Sequence, residues 1–258
     1  MSSEITQISI VGSGNVAQQL AMSFKDKGIQ ITAIYSRNET SRKELATILG
    51  AEEILEINQL PQQLCILCIP DDAISNLLED IAGQIPVAYT SGAVNLVDLP
   101  ARKELGVFYP LQTFTKGRLL DLSNVPFFIE SNSDSFTSQL FDLAYKISSQ
   151  VSYANSEKRS NMHLSAIFVN NFTNHIIYLA QEIAEKNELD FKYFQPLLEE
   201  TIAKLKENKA INIQTGPAKR KDFKVISQQS LKLKGSTKTI YDTITASILK
   251  TYSQDDKL

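Results

Sequence analysis

The chain has 258 residues, 43% of them hydrophobic and 21% charged, with a formal net charge of −3. This is the composition of an ordinary globular protein, long enough for one large domain or two smaller ones. It excludes a general attraction to nucleic acid or an anionic membrane surface, and no apolar run approaches the ~20 residues of a membrane-spanning helix.

The start, MSSEITQ, has neither a basic stretch nor an apolar one, so no secretory signal is expected. From there short apolar runs alternate with helical patterns. ITQISIVG (5–12) reads as a strand, NVAQQLAMSFKDKG (15–28) as a helix, and IQITAIYS (29–36) as a second strand. TSRKELATILG (40–50) is a helix, EEILEI (52–57) a short strand, and QLCILCIP (63–70) a buried strand. DDAISNLLEDIAG (71–83) is a helix with an acidic first turn, and PVAYTSG (86–92) another strand. GVFYP (106–110) and VPFFIES (125–131) add two strands, DSFTSQLFDLAYKIS (134–148) a helix, and VSYA (151–154) an edge strand. Alternation of this kind predicts an α/β fold, a doubly wound, mostly parallel sheet with helices on both faces.

Eight of the ten glycines and six of the eight prolines precede residue 127, and the pattern then turns helical. Residues 156–188 read as one long helix, followed by helices over 191–209, 223–235 and 236–253, with the last residues expected to fray. The division expected is therefore an α/β domain over 1–154 and an all-helical domain over 155–258.

Cys65 and Cys68 have the spacing of a redox pair, but their flanks are apolar. Side chains three apart on a strand point to opposite faces, so they are expected as core residues in a reducing cytoplasm. With two histidines and no further cysteine, no metal site is expected.

The chemistry begins at GSGNVA (12–17), a GxGxxA pattern directly after the first strand. Gly12 suits the tight turn, and Gly14 leaves room for a pyrophosphate. Ser13, Asn15 and Val16 lie between strand and helix, where free N–H groups face the phosphates. The alternative is a bare strand-to-helix turn. After the second strand, Ser36, Arg37 and Asn38 stand where an NAD site would place an acid. A guanidinium and a hydroxyl suit a 2′-phosphate, so NADP is the expected cofactor, with Arg42 or Lys43 as helpers. Pro70 and Asp71, after the fourth strand, and Thr90, Ser91 and Gly92, after the fifth, fall at the same sheet edge; Asp71 and Asp72 read equally well as helix-capping charge.

On the long helix, His163, Asn170 and Asn174 share a face at ~100° per residue. They read either as a satisfied core network or as a polar stripe facing the cofactor cleft. Lys158 is nearly opposite His163 on this wheel. In TGPAKRKD (215–222), Lys219, Arg220 and Lys221 follow a glycine-proline turn. They read as a solvated basic face or as substrate-binding groups, with Arg220 and Lys219 gripping an anionic substrate and Asp222 holding Arg220.

Together IVGSGNVAQQLA, IPDDAI, YTSGA, FYPLQTF and TGPAKRKD resemble the Rossmann-like NADP oxidoreductases that carry a C-terminal domain of unknown function. The N-terminal part is similar to deazaflavin-dependent NADP oxidoreductases and pyrroline-carboxylate reductases. The helical part resembles the 6-phosphogluconate-dehydrogenase-type C-terminal domain, which implies a homodimer through the C-terminal helices. Tyr89 and Tyr109 stand where related sequences often have histidines. Asn170 and Asn174 match the asparagine pair of ketopantoate reductases, with Ala166 in place of the usual catalytic lysine. The resulting expectation is an NADP-dependent oxidoreductase acting on a small, anionic molecule. His163 is the first candidate for proton donor and Tyr109 the second, because imidazole ordinarily titrates near neutrality. The alternative is a non-catalytic NADP-binding redox sensor or regulator.

Overall fold

The computed structural model describes residues 4–253; the tail from 254 onward, part of the end expected to fray, lies outside them. The alternating segments form β1 (Gln7–Val11), α1 (Asn15–Asp26), β2 (Gln30–Tyr35), α2 (Glu39–Leu49) and β3 (Glu52–Ile54). They continue with β4 (Leu64–Leu67), α3 (Asp71–Asp80), β5 (Val87–Tyr89), β6 (Leu105–Pro110), β7 (Phe127–Ser131), α4 (Asp134–Tyr145) and β8 (Val151–Tyr153). One sheet results, in the order β3-β2-β1-β4-β5-β6-β7-β8. Every pairing is parallel except β6 with β7. The winding reverses between β1 and β4, so the connections leaving their carboxyl ends run to opposite sides and open a crevice.

The central strands are apolar throughout because helices cover both faces. β4 is buried at all four positions. Cys65 packs with Ile74 and Leu78 of α3, while Cys68 packs against the opposite layer, as a three-residue spacing on a strand requires. Burial pushes both thiols up, Cys68 to about 12, so neither is a thiolate at neutral pH.

The helical part comprises α5 (Ser156–Ala166), a π-helical segment Ile167–Phe172, α6 (Thr173–Lys186), α7 (Gln195–Glu207), α8 (Ala210–Ile213), α9 (Phe223–Lys232) and α10 (Gly235–Thr251). The expected division at 154/155 falls just after β8. Compact packing divides the chain instead between Phe172 and Thr173, because α5 is tied to the sheet by buried contacts described below. Within the described residues no helix is long and apolar enough to cross a membrane.

One arginine closes the α3 end of the sheet layer. Past the C-terminus of α3 the chain is extended at Ile81, and Arg102 donates to the carbonyls of Leu78, Ile81, Ala82 and Ile85 at 2.6–3.1 Å. The last carbonyls of a helix have no partner within it, and the guanidinium supplies one; the Ala82 carbonyl also accepts from Ile85 N. Arg102→Ala is expected to cost about 2–3 kcal/mol in chemical denaturation. An unchanged denaturation midpoint would show that water replaces the guanidinium at no cost.

Candidate functional site

The turn out of β1 is set by the backbone itself. Gly12 adopts φ +118°, and a Cβ there would overlap the carbonyl oxygen of Cys68. Only glycine lets the ends of β1 and β4 meet this closely. Gly14 is different: it has an ordinary φ, precedes α1, and a Cβ there would meet nothing within 4 Å. No side chain caps the α1 N-terminus, so its first N–H groups stay available beside open space. This arrangement fits a pyrophosphate. Asn15 spends its side chain elsewhere, donating from Nδ2 to the Phe114 carbonyl at 2.9 Å. Gln19 ties the same loop through both the N–H and the carbonyl of Leu120.

At the end of β2 the hydroxyl of Ser13 lies 2.8 Å from that of Ser36 and 2.9 Å from that of Ser41. Ser41 was not among the expected residues; its hydroxyl reaches the group only because α2 starts there. Asn38 caps α2, accepting from Ser41 N at 3.0 Å. Arg37 is exposed, with no ion pair or hydrogen bond among the described residues. The expectation that Arg42 helps hold a phosphate is corrected. Its guanidinium is committed to the Ser36 carbonyl and to Glu53, pairings across 6 and 11 residues. Lys43 remains exposed.

The carboxyl ends of β1, β4, β5 and β6 border a cleft of about 1440 Å3, closed on one side by α5 and the π-helical segment. Of the expected residues, Gly14, Asn15, Val16, Pro70, Asp71, Ser91, Tyr109, His163 and Asn170 line it. Pro70 and Asp71 begin α3, and neither aspartate at 71 or 72 makes a side-chain cap. The Ser91 hydroxyl accepts from Ala93 N and Val94 N, which fixes the turn after β5. Asn170 is exposed in the cleft rather than part of a buried network.

Two groups expected separately meet here. Tyr109, at the end of β6, places its hydroxyl 3.3 Å from Nδ1 of His163 on α5. A Cβ on Gly92 would lie 2.7 Å from the Tyr109 ring and 2.9 Å from His163 Nδ1, so this pair exists because residue 92 has no side chain. Burial raises the Tyr109 phenol above its usual range; Arg159 opposes the rise and Asp71 adds to it.

Other expectations are corrected. Asn174 does not line the cleft with His163 and Asn170. The wheel assumed α-helical turns throughout, and the π-helical segment at 167–172 rotates everything after it. Lys158, placed opposite His163 by the same wheel, lines the same cleft, which is wide enough to touch two sides of α5. Gly12, Ser13, Ser36, Arg37 and Asn38 stand beyond the cleft lining, at the ends of β1 and β2, and their expected part in holding a cofactor is not among these corrections. Lys219 stacks over the Tyr252 ring at 4.8 Å, Arg220 is exposed, and Asp222 caps α9 through Val225 N instead of holding Arg220. Among the described residues no group of three or more His, Cys, Asp or Glu side chains is placed to hold a metal.

The two glycines of the turn separate fold from ligand. Gly12→Ala is expected to lower stability by about 1–3 kcal/mol through its positive φ and the clash. Gly14→Ala is expected to leave ligand-free stability within about 0.5 kcal/mol and to weaken dinucleotide binding. Melting curves and ligand titrations check this, and equal melting of the two variants would contradict it.

Residues 7–91 match the family model described as NADP oxidoreductase, coenzyme F420-dependent, and residues 125–248 match a domain of unknown function, DUF2520. The second match begins just before β7, inside the sheet. No curated protein matched. Among solved structures, a candidate NADP oxidoreductase from Bacteroides fragilis is 34% identical, with 95% of this chain and 98% of that one covered and a TM-score of 0.86. A Thermotoga maritima protein is 22% identical over 97% and 100% of the two chains, with a TM-score of 0.70. A 1-pyrroline-5-carboxylate reductase from Streptococcus pyogenes, 15% identical over 95% and 98% with a TM-score of 0.60, shares the fold. This protein therefore belongs to the family that joins a Rossmann-like NADP oxidoreductase domain to DUF2520.

Proposed function

We propose that this protein is an NADP-dependent oxidoreductase that reduces or oxidises a small molecule in the cleft beneath α5. The observation that carries the reading is the shared cleft: the open space beside Gly14 and the Tyr109–His163 pair border one cavity. A nicotinamide dinucleotide supplies hydride chemistry when bound. The chain's own part is to hold, orient and move a proton. The N–H groups at the start of α1 hold the pyrophosphate. Arg37 and the Ser13–Ser36–Ser41 hydroxyls hold the 2′-phosphate, with no carboxylate at that strand end to repel it. Pro70, Asp71 and Ser91 shape the wall by the nicotinamide end.

His163 is the proton donor. Its Nδ1 is occupied by the Tyr109 hydroxyl, while Nε2 has no protein partner among the described residues and is free to face substrate. Tyr109 orients the imidazole through its hydroxyl, which burial keeps protonated, and water entering the open cleft resupplies the proton that His163 gives up. Asn170 orients the substrate. The cleft's own charged side chains are Asp71, Glu157 and Lys158, which give no net preference for an anion. The substrate proposed is thus a small molecule of either charge, and a role for Lys219 and Arg220 would have to be added to this cleft.

A second copy of the chain completes the helical part. Between residues 173 and 253 only Ala184, Ala218 and Tyr252 are buried, too few for a self-sufficient helical core. Within α6, Ile176, Tyr178 and Ile183 are 40–48% exposed. Such a face in a helical unit suits a symmetric partner. Light scattering at micromolar concentration is expected to give the mass of a dimer, and a monomer mass would refute this.

Cofactor choice tests the site directly. NADPH is expected to bind more tightly than NADH, and Arg37→Ala to cost about 1–3 kcal/mol toward NADPH alone. Equal affinities by titration would sink the assignment. Screening a metabolite panel for loss of NADPH absorbance tests turnover. Tight binding without turnover of any compound would favour a redox sensor.

A further inference from the structure

Among the described residues Arg159 is one of the largest fully buried side chains, and it sits one helical turn before His163. Its Nη1 pairs with the Glu130 carboxylate of β7. Its Nη2 donates to the Val94 carbonyl at 2.5 Å, to Ser156 Oγ at 3.3 Å and to the Tyr89 hydroxyl at 3.4 Å. Glu130 in turn accepts from the N–H and the hydroxyl of Ser156, and Ser156 Oγ accepts from Leu96 N. One guanidinium thus links β5, β7, the loop after β5 and the first turns of α5. Its Nε has no partner.

A buried ion pair of this kind is weak evidence for stability, because desolvation offsets most of its attraction. An orphaned Nε worsens that balance. What the network does fix is geometry. Tyr89 and Val94 bracket Gly92, the residue whose missing side chain admits both the Tyr109 and His163 rings. Arg159 therefore holds the floor of the pair from the sheet and its upper member from the helix.

We propose that Arg159 is a positioning residue that seats His163 against Tyr109, an inference that rests on their pairing as the proton donor. Its positive charge also faces Tyr109, where it opposes the rise caused by burial and by Asp71.

The protein has two histidines, so a nitrogen-15 histidine spectrum of the full chain resolves His163, with His175 as an internal reference. Tyr109→Phe supplies the shift of an unpaired His163 Nδ1. Arg159→Lys keeps the charge and loses the fork; Arg159→Met with Glu130→Gln removes both charges together and leaves no buried ion alone. Both are expected to move the His163 Nδ1 resonance toward its Tyr109→Phe value while His175 stays put. Where the double variant does not fold, Arg159→Lys decides. Folded Arg159 variants that keep the wild-type His163 resonance, when Tyr109→Phe moves it, overturn the positioning role alone. A Tyr109→Phe variant with an unmoved His163 resonance overturns the pairing and the positioning role with it.

Discussion

The site depends on how closely β1 and β4 meet at their carboxyl ends. The sheet winds one way from β1 to β3 and the other way from β4 onward, so a crevice is unavoidable there. Gly12 presses its backbone onto Cys68, which anchors one side of that crevice. Everything aimed at a ligand follows from this contact: the open approach at Gly14, the bare N-terminus of α1, and the neighbouring edges after β5 and β6. A side chain at residue 12 would separate the two strands and displace all of them.

A second constraint works on the opposite wall. α5 has little apolar surface to bury against the sheet, and a buried polar network fixes its position. Arg159, Glu130 and Ser156 bind the helix to β7 and to the loop after β5, where Gly92 lies. The consequence is a helix held with its polar face, including His163, turned into the cleft. The same choice explains why α5 packs with the sheet while the residues after Phe172 form a separate compact unit.

Much of this was legible in the sequence. Strands and helices of the first 154 residues follow local apolar periodicity and glycine breaks, which a single sequence carries. The glycine turn was legible because Gly12 and Gly14 directly follow an apolar strand. His163 stood out as a polar group on a helix, and Tyr109 as the end of a strand, but only the fold could bring two residues 54 apart within one hydrogen bond. Arg42 misled because its partner Glu53 lies on the next strand, beyond local pattern. Arg159 went unremarked because an arginine in a polar helix reads as solvated. Asn174 was misplaced because a π-helical turn leaves no mark in composition yet rotates every later side chain.

The central claim is that the cleft at the ends of β1, β4, β5 and β6 is where the dinucleotide sits. Hydrogen–deuterium exchange of the protein with and without NADPH tests it most directly. The account predicts slowed exchange in peptides covering residues 12–18, 36–42, 69–73 and 90–94, with α9 and the 215–222 turn little changed. Binding that protects only the helical residues beyond 172, or leaves the 12–18 peptide exchanging as before, would contradict it.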